Sequence, residues 1–361
     1  MTKKINNKKW AFLLIFVSLL VLFFVILFNY IIDPFQQYRK ATFYTFLDNK
    51  PRYLNAGLAK NYDYDSVLIG SSMVENFYAK DIENYLGFNK VLKLATRGGK
   101  IHEEVKTLET AISNNKKLKN ILFGLDIYAF SFLSQPVEKN KDFPEYLYDD
   151  NFFNDFTYLL NFNVLKNSYK SLLNPYDKNK VSDNLNKLYS WQEEYNMSFT
   201  KKNYNTQLQF AYLKTNKKVS KKLYSLDVLK NRFDNVFLPL IQNNTDKNFY
   251  LFFPPYSIGQ FKIMQMSDYL SIHLEFKKYI FNRLKNYNNI KIFDFQIEKD
   301  ITHNLSNYKD LTHYSEKVNL LMLKQMSKNN YLLKEENIDK FLNTLKEQTL
   351  AFDIKSVLDG K

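Results

Sequence analysis

The chain has 361 residues, 45% of them apolar, with 51 Lys and Arg against 37 Asp and Glu and a formal net charge of +14. That length suits one large domain or two modest ones, and the apolar share argues against global disorder. Cysteine is absent, which excludes disulfides, a thiol nucleophile and a thiolate metal site.

The basic surplus invites a nucleic-acid reading. Its residues are dispersed, however, as short pairs (Lys116-Lys117, Lys201-Lys202, Lys217-Lys218, Lys221-Lys222) with acidic residues between them. No helix-turn-helix, zinc-finger or RNP-like pattern is present, so no nucleic-acid partner is expected. Attraction to an anionic membrane surface or an acidic glycan is the more natural use of this charge.

Taken in chain order, the first element is a hydrophobic helix. Trp10 to Ile32 carries no charged residue and would be on the order of 35 Å long as a helix, enough to cross a bilayer with some tilt. Lys3, Lys4, Lys8 and Lys9 precede it, and Asp33 is the first acidic residue after it. By the positive-inside rule the N-terminus stays in the cytoplasm and the C-terminal bulk crosses the membrane. A cleaved signal peptide is the competing reading. The long apolar run and the lack of a small-x-small cleavage site favour an uncleaved anchor.

A connector, 33–64, follows the anchor. Short β-rich runs then alternate with helical stretches: strands at Ser66 to Gly70, Lys90 to Ala95, Asn120 to Asp126, Asn248 to Phe253 and Ile290 to Phe295. Helices are expected at about Met73 to Tyr85, His102 to Asn114, Phe261 to Asn286 and Ser315 to Ser327. This rhythm predicts an α/β domain, 65–333, with a five-stranded parallel sheet covered on both faces. A Tyr-, Phe-, Asn- and Lys-rich insertion at about 129–225 interrupts it, read either as extra core or as a substrate-facing cap of aromatic faces. The tail, 334–361, reads as a charged amphipathic helix.

Ligands of parallel sheets bind at the carboxyl ends of the strands, which directs attention to four segments. Ser72, in Gly70-Ser71-Ser72, follows the first strand where a nucleophile's oxyanion can meet backbone N–H groups; a plain N-cap is the alternative. Gly98 and Gly99 follow the second strand, either letting backbone amides approach a ligand or forming a simple loop. Asp126 ends the third strand, as a site carboxylate or as a cap. Asp310-Leu311-Thr312-His313 follows the fifth strand, and there Asp310 can reach the imidazole of His313 and fix its tautomer. A metal site of His303, Asp310 and His313 has suitable ligand types but matches no dedicated spacing, and no metal is expected. Together Ser72, His313 and Asp310 make a nucleophile, base and orienter at one sheet edge.

These motifs resemble the SGNH (GDSL-type) hydrolases, and more closely their single-pass, membrane-anchored bacterial members associated with acylation of surface polysaccharides. The resemblance runs from Asn29-Tyr30-Ile31-Ile32-Asp33-Pro34 through Val67-Leu68-Ile69-Gly70-Ser71-Ser72, Ala95-Thr96-Arg97-Gly98-Gly99, Phe123-Gly124-Leu125-Asp126 and Phe252-Phe253-Pro254-Pro255-Tyr256 to Tyr308-Lys309-Asp310-Leu311-Thr312-His313-Tyr314. It implies an SGNH/flavodoxin-like three-layer sandwich, with Ser72 as nucleophile, His313 as base and Asp310 as its partner. The Ser72 amide and Gly98 or Gly99 would be the oxyanion donors. Ser71 stands where many relatives have Asp. The family's Asn in a Gly-x-Asn-Asp block is replaced here by Gly-Leu-Asp, with Asn76 or a residue of the insertion as possible substitutes.

The implied activity is a serine esterase or O-acyltransferase acting on acyl, chiefly acetyl, esters of a cell-surface or exported polysaccharide outside the cytoplasm. It would need no cofactor. Its partners would be the acylated glycan, the lipid bilayer and an integral membrane acyltransferase that brings the acyl group across. An inactive glycan-binding or scaffold domain of the same fold is the rival expectation, and a polyanion-binding membrane protein a third.

Overall fold

The structure is a computed structural model that describes residues 7–48, 50–131, 143–215 and 225–358. Lys3, Lys4, Lys217-Lys218, Lys221-Lys222 and the ends of the aromatic-rich insertion at 132–142 and 216–224 lie outside the described residues.

In chain order the main elements are α1 (Asn7–Ile32), α2 (Pro51–Asn61), β1 (Ser66–Gly70), α3 (Ala79–Leu86), β2 (Val91–Ala95), α4 (Ile101–Asn114) and β3 (Asn120–Gly124). Then come α5 (Phe156–Leu159), α6 (Phe162–Leu172), α7 (Lys201–Lys214), α8 (Leu226–Arg232) and β4 (Asn248–Phe253). The chain closes with α9 (Ile258–Met266), α10 (Leu270–Leu284), β5 (Ile290–Asp294), α11 (Glu316–Met326) and α12 (Ile338–Ala351). They fall into two compact units: Met1–Tyr62 with Lys141–Asp183, and Asp63–Asn140 with Asn184–Lys361. The insertion is therefore divided. Its first part joins the anchor and connector, and its second joins the sheet.

The sheet is all parallel, in the order β2-β1-β3-β4-β5. Apolar strands make this possible: every residue of β1 and β2 is buried, as parallel strands covered on both faces require. Right-handed crossovers send α3 and α11 to one face, where they pack together, and α4, α8 and α10 to the other, with a π-helical turn at Phe233–Phe237 touching both α4 and α8. The expected α/β class and five-stranded parallel sheet are thus present.

Two helices differ from expectation. The stretch after β1 is a short 3-10 turn, Ser72–Val74, and the α-helix starts only at Ala79. Between them Asn76 turns its amide to tertiary partners. The long helix read after β4 is two helices, α9 and α10, separated at Asp268, whose φ is 62°. That left-handed residue ends one helix and redirects the chain.

In the first unit α1 is 26 residues long and apolar enough to cross a membrane, with a mean hydropathy of 3.3 over its best window. The connector behind it is a folded element. Asp33 is 1% exposed, and its carboxylate accepts from the backbone N–H groups of Gln37, Tyr38 and Arg39 and from the Tyr158 hydroxyl. Burial raises the Asp33 pKa, and these donors oppose the rise.

Candidate active site

The candidate nucleophile turn, Ser72–Val74, is pressed onto the sheet. Gly70 ends β1 at φ 154°, and a Cβ there would come within 2.9 Å of Val74 Cγ1; one on Gly124, at the end of neighbouring β3, would come within 2.7 Å of the same atom. Bare glycines on adjacent strands therefore seat the Val74 side chain. Ser71 caps the turn, accepting from Met73 N at 3.3 Å and donating to Asp126 Oδ2 at 2.7 Å. Ser72 opens the turn half-buried, and its Oγ lies 2.8 Å from His313 Nε2.

His313 sits at the end of a tight loop closed by the Tyr308↔Tyr314 bridge and by Lys309 N donating to His313 O at 3.1 Å. The loop is tied down on several sides. Tyr308 OH donates to Pro255 O, Ser257 Oγ and N donate to Leu311 O, and Asn203 Nδ2 donates to Lys309 O. Tyr314 OH donates to Met73 O at 2.8 Å, joining this loop directly to the nucleophile turn.

Asp310 orients the imidazole. His313 Nδ1 lies 2.8 Å from Oδ2 and 3.0 Å from Oδ1, while Oδ1 also accepts from the backbone N–H groups of Thr312 and His313 at 2.9 Å each. Burial pushes the Asp310 carboxyl up, but the hydrogen bond and charge of His313 and the two amides outweigh it and hold it below the usual carboxylate range. An ionised Asp310 draws the proton to Nδ1 and leaves Nε2 as the acceptor facing Ser72. Ser72, His313 and Asp310 are thus brought together across 241 residues of sequence.

The candidate oxyanion donors divide. The Ser72 N–H makes no hydrogen bond among the described residues. Gly98 has φ 59°, a left-handed conformation that disfavours any larger residue, with open space where a Cβ would stand. Gly99 N donates to Thr96 O at 2.7 Å, so that amide closes the turn.

Of the two readings of Asp126, a site carboxylate or a cap, the structure shows the cap, which corrects its assignment to oxyanion or substrate binding. It is 6% exposed, and its oxygens accept from Ser71 Oγ, Tyr256 OH and Tyr128 N. It braces the nucleophile turn against β4's following loop. Asn76 is likewise taken: its Oδ1 accepts from Ser190 Oγ and Trp191 N at 3.1 Å each, and its Nδ2 reaches Gln192 Oε1 and Tyr314 O at 3.5 Å. An amide so engaged is no oxyanion donor.

What Asn76 holds is Trp191. The indole stands near-perpendicular to the His313 ring at 5.6 Å, with Lys309 Nζ over it at 4.5 Å and Phe199 stacked parallel at 6.2 Å. Trp191 is 4% exposed, and its indole N–H finds no acceptor among the described residues. Glu75 is a second buried group here. Its Oε2 accepts from Arg97 Nε at 3.2 Å, its backbone carbonyl from the buried Lys93 Nζ at 2.8 Å, and Oε1 from nothing among the described residues. Burial raises its pKa against the charges of Arg97, Lys93 and His313. The Glu75–Arg97 pair thereby joins the nucleophile turn to the Arg97-Gly98-Gly99 loop. Sequence reasoning missed both groups. One signal was available for Trp191: it is the single Trp outside the hydrophobic helix.

Among the described residues no group of His, Asp and Glu gathers closely enough to hold a metal ion. His303 Nδ1 bonds the Thr302 hydroxyl instead.

The arrangement supports proton transfer from Ser72 to His313 and attack of Ser72 on an electrophilic carbon. No protein-family model matches the chain, and a search of curated proteins finds no similar sequence.

Proposed function

We propose that the chain is an SGNH-type serine esterase or O-acyltransferase that works on acyl, chiefly acetyl, esters of a cell-surface or exported polysaccharide. The observation that carries this reading is the Ser72–His313–Asp310 relay, with 2.8 Å at each of its two links. His313 takes the Ser72 proton as Oγ attacks the ester carbonyl. The carbonyl oxygen, now negative, is held by the Ser72 N–H group. His313 then returns the proton to the departing alcohol, leaving Ser72 acylated. Water or a sugar hydroxyl, deprotonated by the same imidazole, completes hydrolysis or transfer.

The buried Trp191 packs edge-on against the His313 ring and steadies the imidazole. In this reading α1 spans the membrane once, with the basic N-terminus in the cytoplasm and the sheet-bearing unit outside it. Transfer would draw its acyl group from an integral membrane partner.

Fluorophosphonate labelling tests the reading. The wild-type chain is expected to label covalently and Ser72→Ala to give none; a wild-type protein that never labels refutes it. One observation favours a second reading, a glycan-binding scaffold: Asp126 offers no further oxyanion donor, because its oxygens accept from the Ser71 and Tyr256 hydroxyls. Acyl content of the surface polysaccharide separates the outcomes. It falls in a Ser72→Ala strain for a transferase, rises for an esterase, and stays unchanged for a scaffold.

A further inference from the structure

The first unit exposes an unusual amount of aromatic surface. Phe152, Phe153 and Phe162 are 69%, 88% and 76% exposed, and Phe156 62%. On α6, Val164, Asn167, Ser168 and Ser171 are buried. Phe162, Leu165, Tyr169, Leu172 and Leu173 fall instead within an arc of about 100° on the opposite side, at 100° per residue. The exposed Lys166 and Lys170 follow at one edge of that arc. Soluble proteins rarely leave so continuous an apolar stripe uncovered.

The place of this stripe is fixed by α1. A bilayer's hydrocarbon takes up about 20 helical residues, which counted from Trp10 end at Asn29. Asn29 is 0% exposed; its Nδ2 donates to Leu159 O at 2.8 Å, and its Oδ1 accepts from Ser168 Oγ at 2.8 Å. The α5–α6 hairpin is therefore bolted to the spanning helix at the level where hydrocarbon gives way to headgroups. An apolar face flanked by lysines is the pattern of a helix lying in that boundary, with its ammonium groups reaching out to anionic headgroups.

We propose that α6 and the preceding Phe152–Phe156 segment form a second, non-spanning membrane contact, embedded in the outer boundary of the leaflet in which α1 ends. The inference rests on the reading of α1 as a membrane-spanning helix, but not on the catalytic reading. It makes the anchor a two-point attachment: a rod with a collar.

The cysteine-free chain permits single-site probes in the full-length protein. Leu20→Cys, Phe153→Cys, Phe162→Cys and Lys346→Cys, each carrying a nitrobenzoxadiazole label, would be reconstituted in vesicles of phosphatidylcholine and phosphatidylglycerol containing lipid spin-labelled near the headgroup or deep in the chain. Positions 153 and 162 are expected to be quenched by the shallow spin label at least twofold more than position 346, and position 20 by the deep label. If 20 is quenched while 153 and 162 match 346, the collar is refuted and the anchor stands. If 153 and 162 are shielded from aqueous iodide yet untouched by either lipid quencher, a protein covers the stripe and the proposal fails. If 20 is not quenched, the anchor reading itself falls.

Discussion

Asp310→Asn is the perturbation that most directly tests the relay. The asparagine is nearly the same shape, and its Oδ1 can keep the backbone N–H groups of Thr312 and His313, now at 2.9 Å. The loop should therefore stay in place. Its Nδ2, however, replaces the carboxylate oxygen that lies 2.8 Å from His313 Nδ1. A donor there forces Nδ1 to be the acceptor and moves the ring proton to Nε2, which then presents N–H to Ser72 Oγ and cannot take its proton. A tautomer reversal of this kind costs about 10³ to 10⁴ in rate, or about 4 to 5.5 kcal/mol in the barrier. The loss should appear in kcat/KM for p-nitrophenyl acetate and in the fluorophosphonate labelling rate, with the folded content unchanged by circular dichroism. Activity within tenfold of wild type, in an assay where Ser72→Ala is silent, would refute an orienting role for Asp310.

The remaining predictions concern stability and support. The Asp310 carboxyl is held below its unfolded value, so the folded chain binds fewer protons there; the stabilisation is complete above about pH 4 and is lost as pH falls toward the depressed folded value. Wild type should lose denaturant resistance on acidification below that point more steeply than Asp310→Asn; parallel curves would count against the ion pair. Asn76→Ala strands the Ser190 and Trp191 donors and should cost about 1 to 3 kcal/mol in unfolding free energy, with kcat/KM lowered as the Trp191 packing against His313 loosens. An unchanged kcat/KM would show that Trp191 does not position His313. Lys277 and Asp294, 1% and 0% exposed and 2.5 Å apart, are a buried pair behind the ends of β4 and β5. Lys277→Met alone should cost about 3 to 5 kcal/mol, and adding Asp294→Leu should recover most of it. A double variant no better than the single would show that packing, rather than the stranded carboxylate, sets the cost.

Much of the sheet was legible because parallel strands buried on both faces are written as short apolar runs. Ser66 to Gly70 and Asn248 to Phe253 coincide with β1 and β4 to the residue. Ser72, Asp310 and His313 could be singled out because they directly follow such runs and because a three-residue spacing lets a carboxylate reach its own loop's imidazole. The supports could not. The Asn76 to Trp191 bond joins residues 115 apart, and nothing local in either segment announces the other. Asp126 reads equally as a site carboxylate or a cap in sequence, and only the distant Ser71 and Tyr256 hydroxyls on its oxygens decide between them. The union of 143–183 with the anchor likewise depends on Asn29, a polar residue at the end of an apolar run whose partners lie 130 and 139 residues away.

The seat of Val74 on two glycines has a consequence for how this chain can drift in evolution. One methyl group added at position 70 or 124 would lift the nucleophile turn off the sheet, and with it the serine. Because Tyr314 grips the Met73 carbonyl, the histidine loop would be dragged the same way, so a misfit beneath the sheet edge shifts both reacting groups together before it separates them. The pair is suspended on one bracket, and the glycines set its height.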